Sequence, residues 1–186
     1  RLSPVGEGLQ VLVYAHDQPG LFARITGFFE RLQFDIAAAK IYTTRHGYAL
    51  DSFQVLSRAR AGEHHRDLIE SIEKKLPDRL APDSPLDAPA TGRLSRWVKH
   101  FPIAPKVSLL KHRRGERWQL FLACGDRPGL LSAAARVFLK HGLNLEDARV
   151  ATLGARAEDT FDLTGEALAT EEGRAALVAE LETLFA

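Results

Sequence analysis

The feature that most constrains how this chain can fold is an internal duplication. The segment Asp17-Gln-Pro-Gly-Leu-Phe22 recurs as Asp126-Arg-Pro-Gly-Leu-Leu131, an offset of 109 residues (126 minus 17). The copies stay in register over about 45 positions, and Asp51 still matches Asp159 at an offset of 108. Such self-similarity predicts tandem copies of one structural unit, and 186 residues accommodate two small domains. We place the first at residues 5–103 and the second at 104–186.

Both copies show the same order of predicted elements. An apolar run predicts a buried strand, apolar residues at helical spacing predict an amphipathic helix, and two further strands joined by a glycine-containing turn lead to a second helix. The order β-α-β-β-α indicates an α+β, ferredoxin-like (βαββαβ) fold, with an antiparallel sheet and two helices on one face. The predicted strands are 9–15, 36–44 and 48–56 in the first copy and 118–124, 145–153 and 156–164 in the second, and the predicted second helices are 65–75 and 171–184.

The fourth strand of each sheet has to come from different places in the two copies. In the first copy, the proline-rich stretch 77–89 is predicted to be a loop, after which residues 93–101 return as the closing strand. No residues remain after the last helix of the second copy. Residues 107–112, however, precede its first strand and are separated from it by 113–116, a plausible hairpin turn. We therefore expect 107–112 to pair with the strand at 118–124 as its edge.

Composition excludes several classes of function. The chain has 25 Lys and Arg residues against 24 acidic ones, so electrostatics gives no reason to expect nucleic acid or an anionic membrane as a partner. No apolar run approaches the roughly 20 residues that span a bilayer. The single cysteine, Cys124, is expected in the core and suits a reducing cytoplasm. The chain starts at Arg1 and contains no methionine, so we expect it to be a piece of a longer protein.

The strongest candidates for function are the two Asp-x-Pro-Gly corners. Proline is expected in the first helical turn and aspartate as its cap, and glycine allows a ligand to approach the backbone. The helix that follows offers free N–H groups and a positive dipole end to a carboxylate, and the aspartate can accept a hydrogen bond from an ammonium group. These are the two poles of an α-amino acid. A capped turn without a ligand is the alternative. Each copy also places a polar residue at the start of its next strand, Asp35 or Asn144.

The remaining titratable residues favour structural roles. Asp51 and Asp159 are interpreted as strand-edge aspartates, with a catalytic carboxylate as the alternative. His64 and His65, with Asp67 nearby, lack a further ligand at metal-binding spacing and are interpreted as a solvated helix start, so no metal site is predicted. Phosphate-loop, nucleophile-elbow and paired-carboxylate motifs are missing from the sequence, so no catalytic residue is predicted.

These residues resemble a known family. The β-α-β-β-α order, the Asp-x-Pro-Gly-Leu corner and the Asn/Asp-Ile/Leu strand start are similar to the ACT domain, an amino-acid-sensing module. More specific stretches resemble the tandem ACT region that closes the bacterial bifunctional PII uridylyltransferase/uridylyl-removing enzymes. These are Ile-Tyr-Thr-Thr-Arg-His-Gly-Tyr-Ala-Leu-Asp at 41–51, Val-Lys-His-Phe at 98–101, Pro-Lys-Val at 105–107 and Ala-Thr-Leu-Gly-Ala-Arg at 151–156 with Glu158-Asp159.

The resemblance implies a regulatory region that senses L-glutamine. It carries ligand positions over as Asp17, Pro19, Gly20, Leu21 and Asp35 in the first module and as Asp126, Pro128, Gly129, Leu130 and Asn144 in the second. Asp35 departs from the asparagine usual at its position and would repel an incoming carboxylate, so the second module is predicted to hold the better site. ACT modules commonly bind ligand at an interface with a partner module, which implies pairing of the two copies or a homodimer.

The resemblance also implies what lies outside this chain. Nucleotidyltransferase and phosphohydrolase domains would stand upstream, use UTP and a divalent metal such as Mg²⁺, and act on the PII protein in the cytoplasm. No cofactor is expected in the region itself. One alternative is a stand-alone two-ACT regulator of the glycine-cleavage-repressor type, and another is an autonomous small enzyme.

Overall fold

The two predicted modules share one continuous antiparallel sheet. The computed structural model describes residues 1–57, 65–92, 96–113 and 115–186. Nine strands form a single sheet in the order β1-β2-β4-β3-β7-β9-β6-β5, with β8 pairing with β9. The strands are β1 (Leu2–Val5), β2 (Gly8–His16), β3 (Phe34–Lys40), β4 (Tyr48–Ser57), β5 (Lys106–Lys111), β6 (Trp118–Gly125), β7 (Asn144–Arg149), β8 (Thr152–Leu153) and β9 (Arg156–Thr164), and the α-helices are α1 (Leu21–Arg31), α2 (His65–Leu80), α3 (Arg96–His100), α4 (Leu130–Lys140) and α5 (Glu171–Phe185).

Each module has the predicted ferredoxin-like arrangement. In the first, β2 and β3 both pair antiparallel with β4, and in the second, β6 and β7 both pair antiparallel with β9. The helical stripes predicted from the apolar spacing are buried: Phe29 of α1 and Phe138 of α4 are 0% and 3% exposed. They belong to the same core as the strand residues Phe53 and Phe161, which are fully buried, so burial of one face of α1 and α4 against the sheet stabilises both modules.

The edge strand of the first module differs from the prediction. Residues 96–100 form the short helix α3 instead of a closing strand, and residues 93–95 of the predicted strand lie outside the described part. The edge is supplied by β1, which forms a hairpin with β2 through the pairs Leu2–Val11 and Val5–Gly8. Leu2 is 8% exposed, so the short β1 still buries a side chain in the core. The strand is four residues long, too short for its periodicity to reveal it.

The edge strand of the second module is confirmed. Strand β5 pairs antiparallel with β6 from Lys106–Ala123 to Lys111–Trp118. Both modules therefore use the same device, a strand that precedes the module and folds back onto its first core strand. The predicted difference between the two copies is wrong because the first copy has this strand as well.

Two further predictions change in detail. Helix α2 continues through Pro77 to Leu80, so the predicted loop begins later than expected. Cys124 is fully buried in β6, as predicted, and burial raises the pKa of its thiol to about 12. The side chains of His64 and His65 lie outside the described part, so that interpretation stays a prediction. In the described ranges, no helix is long and apolar enough to cross a membrane.

The two modules join side by side, as one of the two implied pairings predicted. Strand β3 runs antiparallel to β7 with Lys40 opposite Arg149, and α1 packs against α4. Phe22 of α1 also lies edge-on to Phe161 of the second module, with ring centroids 6.4 Å apart. The apolar surface between the modules is thus continuous with both cores.

Candidate functional site

The two Asp-x-Pro-Gly corners adopt the same type II turn. The Leu21 amide donates to the Gln18 carbonyl at 3.1 Å, and Gly20 has φ 78° and ψ 7°, the left-handed conformation that this turn requires at its third residue. Gly129 repeats it with φ 80° and ψ 5°. Pro19 therefore occupies the second position of a turn rather than the first helical turn.

The corner aspartates do not cap the helices as predicted. In the part of the chain that the structure describes, Gly20 and Gly129 are the N-cap residues of α1 and α4, and neither helix has a side-chain cap. The backbone of each aspartate instead ties the corner to the neighbouring hairpin. The Asp17 amide donates to the Gly47 carbonyl, and the Asp126 amide donates to the Ala155 carbonyl, both at 2.9 Å. The Asp17 side chain accepts a hydrogen bond from the Thr43 hydroxyl at 3.4 Å.

A cavity of about 170 Å³ lies at the first corner, and we call it site 1. Its walls come from both modules. The start of β7 reaches the N-terminus of α1 across the seam, by which we mean the contact of β3 with β7 and of α1 with α4. The residues that matter for its chemistry are Asp17, Gly20, Leu21 and Asp51 from the first module and Leu139, Asn144 and Glu146 from the second. Pro19 also lines it.

A second cavity of about 320 Å³ lies at the other corner, and we call it site 2. It is related to site 1 by the internal duplication, with the start of β3 facing the N-terminus of α4. Its main residues are Asp126, Gly129, Leu130 and Asp159 from the second module and Glu30, Asp35 and Ala37 from the first. Pro128 packs against Gly92 instead of lining site 2. The two are so close that a Cβ on Gly92 would come within 2.7 Å of the proline ring.

The structure regroups the predicted site residues. Asn144 was assigned to the corner of its own module, but it lines site 1 with Asp17, and Asp35 lines site 2 with Asp126. The crossing follows from the side-by-side pairing, in which β3 and β7 are neighbours. The expected ligand positions thus come together in two places. The uncharged Asn144 therefore lines the cavity at the first corner, and the acidic Asp35 lines the cavity at the second.

Partial burial raises the pKa of Asp17 above its ordinary value. Hydrogen bonds from the Thr43 hydroxyl, at 3.4 Å, and the Gln18 amide oppose this rise, whereas the carboxylate of Glu146 adds to it. Glu146 is one wall of the same cavity and accepts a hydrogen bond from Thr164 at 3.1 Å. Site 1 therefore presents the carboxylates of Asp17 and Glu146 beside the N-terminus of α1, in addition to the buried carboxyl of Asp51.

Asp51 and Asp159 form the floors of the two sites. Each is 1% exposed, and burial raises the pKa of each carboxyl to about 7. The Tyr42 amide donates to Asp51 at 3.4 Å, and the Ala151 amide donates to Asp159 at 3.2 Å. They are buried cavity residues rather than the strand-edge aspartates that we predicted. Alternation along the strand placed them on the same face as Phe53 and Phe161, and this was the signal for their burial.

The sequence prediction missed Glu146 and Ala37. Both stand where the register of their strand shifts, between Leu145 and Asp147 in β7 and between Ile36 and Ala38 in β3. A β-bulge re-aims a side chain, and here it coincides with the residues that line the cavities. The shared bulge had no signature in the residue types, because a glutamate matches an alanine in the repeat.

The fold and its paired cavities define a tandem of two ferredoxin-like modules. The family model for the ACT domain matches residues 9–78 and 118–184, and the chain belongs to this family.

Within it, the chain is similar to one group of large bacterial enzymes. A bifunctional uridylyltransferase/uridylyl-removing enzyme of Aromatoleum aromaticum is 51% identical over 92% of the chain and 20% of that enzyme. Those of Chromobacterium violaceum and Ralstonia nicotianae are 48% and 47% identical, over 98% and 100% of the chain and 21% and 22% of the enzymes. The chain thus spans about a fifth of the length of these relatives.

Proposed function

We propose that this chain is an amino-acid-sensing regulatory region, that L-glutamine is its ligand, and that it controls the addition and removal of uridylyl groups on the PII protein by a catalytic part of the same enzyme. The observation that carries the proposal is the composition of site 1. A helix N-terminus, which attracts a carboxylate, stands beside carboxylates that attract an ammonium group, in a cavity shared by two modules.

In this proposal the ligand carboxylate lies at the N-terminus of α1. The amides of Phe22 and Ala23 belong to the first turn, where backbone N–H groups have no intrahelical acceptor. The ammonium group is held by the Asp17 carboxylate, and the side-chain amide of glutamine reaches Asn144 and Glu146 across the seam. An uncharged amide that both donates and accepts distinguishes glutamine from glutamate here, because Glu146 would repel a second carboxylate.

Regulation follows from the position of the site between the modules. A ligand that contacts both modules binds the paired arrangement more tightly than a loosened one, so it shifts the population toward that arrangement. We propose that the catalytic part reads this shift, which couples glutamine to the balance of the two activities. In the same proposal UTP and a divalent metal ion serve the catalytic part, this region needs no cofactor, and the protein works in the cytoplasm, with a homodimer as a further level of assembly.

Calorimetric titration of the chain with L-glutamine, L-glutamate and other L-amino acids tests the ligand. We expect heat of binding with glutamine and much weaker binding of glutamate. Binding of a different amino acid without a response to glutamine would refute glutamine as ligand and leave a sensor of another amino acid. Asn144→Ala is expected to weaken glutamine binding, whereas Gln10→Ala, on an exposed part of β2, should leave it unchanged.

The regulatory role is tested in the full-length enzyme. Asn144→Ala there should raise the glutamine concentration that switches uridylylation of PII to removal of the group, by the same factor as it weakens binding to the isolated chain. An unchanged switching concentration, together with weakened binding, would separate this site from the control of catalysis.

A further inference from the structure

Site 2 already contains a carboxylate at the N-terminus of its helix. Glu30, near the end of α1, is 6% exposed and reaches across the seam to the first turn of α4. Its Oε1 atom accepts from the Ser132 amide at 3.3 Å, and its other carboxylate oxygen accepts from the Ser132 hydroxyl. A carboxylate accepting a backbone N–H at a helix N-terminus is the same interaction that a bound amino acid would make.

Site 1 differs at both of the matching positions. With the offset of 109, Ser132 corresponds to Ala23 and Glu30 corresponds to Leu139. Leu139 packs against the first corner. Its Cδ2 atom lies 3.2 Å from the position that a Cβ atom on Gly20 would occupy. Leu139 is a lining residue of site 1, so an apolar side chain stands there in place of a carboxylate.

The segment that follows α2, residues 81–92, also packs against the backbone of the second corner. The Ala90 carbonyl lies directly against Gly129, where a side chain of any size would meet it, and Gly92 lies against Pro128. This segment is held in place upstream, because Asp87 accepts hydrogen bonds from Arg31 at 2.8 Å and from Arg79. Burial by itself would raise the pKa of Asp87, but these two arginines lower it below its ordinary value, so the anchor stays charged.

We infer that Glu30 is a built-in occupant of site 2 and that the chain binds one amino acid, in site 1 alone. This inference rests on the proposed function. An incoming carboxylate at α4 would either stand beside the Glu30 carboxylate, which repels it, or displace Glu30 from two hydrogen bonds in a buried place. Asp35 adds a further acid at the strand start of site 2, where site 1 has Asn144.

The inference makes Glu30 and Leu139 the residues that decide which site is open. Glu30 also contributes to the pairing of the modules, because its hydrogen bonds join α1 to α4. The ligand at site 1 and Glu30 at site 2 then each contact both modules, so they stabilise the pairing of the modules at the two ends of the seam. Only the end with the free ligand responds to concentration, which gives a single, non-cooperative response per chain.

Calorimetry with L-glutamine on the 186-residue chain tests the inference through its stoichiometry. We expect one equivalent per chain for the natural sequence and two for Glu30→Leu, which gives site 2 the residue found in site 1. We expect Leu139→Glu to weaken binding roughly tenfold or more by placing a carboxylate at α1. Its matched control, Leu139→Gln, changes the same lining residue without adding a charge, so the Glu variant should bind at least severalfold more weakly than the Gln variant.

The outcomes separate the inference from the proposed function. Two equivalents for the natural chain, or one for a Glu30→Leu variant whose circular dichroism is unchanged, would overturn the role of Glu30. If Glu30→Leu does not fold, a folded Leu139→Glu variant with natural affinity overturns it instead. If the natural chain binds no amino acid of the series, the proposed function itself fails.

Discussion

Lys40 and Arg149 face each other across the seam between the modules. They are the register pair that joins β3 to β7, and both side chains are exposed. Directly opposed residues of an antiparallel pair lie on the same face, where like charges destabilise. Within the described ranges, Lys40–Arg149 is the one register pair between β3 and β7. The packing of α1 on α4 and the hydrogen bonds from Ser132 to Glu30 therefore hold the two modules together, while these two like charges oppose the joint.

Reversing one of these charges should strengthen the joint. We expect Lys40→Glu to raise the free energy of unfolding by about 0.5 kcal/mol at low ionic strength, because it turns a repulsive cross-strand pair into an attractive one. The gain should shrink in high salt. Urea denaturation checks it, with Lys40→Gln as the control that removes the repulsion without adding an attraction. A charge-reversed variant no more stable than the glutamine variant would contradict the prediction.

The buried carboxyl of Asp159 predicts how stability depends on pH. Its pKa is about 7 in the folded chain against an ordinary value of 3.8, so the folded state binds more protons between these two values. Stability contributed by this group is therefore present below about pH 4, falls as the pH rises toward 7, and is lost above it.

Asp159→Asn should remove this dependence. At pH 8 we expect the variant to be more stable than the natural chain by about 2 kcal/mol, since no buried charge remains, and at pH 4 the two should be nearly equal. Urea titrations at both pH values measure the difference. The exposed Asp78→Asn serves as the control and should show no pH-dependent gain; equal effects of the two substitutions at pH 8 would argue against a buried charge at Asp159.

The two corner glycines should differ in their tolerance of a side chain. Both have φ near 80°, so alanine costs about 1 kcal/mol at either position through the left-handed backbone. At Gly129 a Cβ would also meet the Ala90 carbonyl, whereas at Gly20 its nearest neighbour is the end of the Leu139 side chain.

We therefore expect Gly129→Ala to be more destabilising than Gly20→Ala, by about 1–2 kcal/mol in the free energy of unfolding. Chemical denaturation of the two variants side by side provides the measurement, and each serves as the other's control for the backbone term. Equal losses in the free energy of unfolding would mean that the Ala90 carbonyl does not clash with a side chain at position 129.

The first edge strand gives a prediction about association. Deleting residues 1–5 removes β1 and exposes the ladder groups of β2 along with the core around Leu2. We expect a loss of about 2 kcal/mol in stability and concentration-dependent self-association, because an unprotected edge strand pairs with other chains. Light scattering after size-exclusion chromatography checks this. Val5→Ser, which keeps the strand, should remain at the natural mass.

Much of the fold was accessible from the sequence because the repeat doubles every signal. A helical stripe such as that of Phe29 is convincing when Phe138 repeats it, and the edge strand β5 was found because a hairpin turn separates it from β6. The strand β1 is too short to show a pattern, and the sequence instead predicts a strand at residues 93–101, where the structure has helix α3. Helix α2 continues through Pro77, where the local pattern predicts a loop, and it packs against α1, a contact that no local pattern specifies.

The sequence by itself determined the duplicated module, its element order and the residue types at the two corners, because these depend on periodicity and turn chemistry along the chain. Only the tertiary structure decided which residues share a site. Asn144 joins Asp17, and Glu30 reaches Ser132, because β3 and β7 become neighbours when the modules pair. That pairing buries apolar surface from distant parts of the chain, and no local pattern specifies the partners of such a contact.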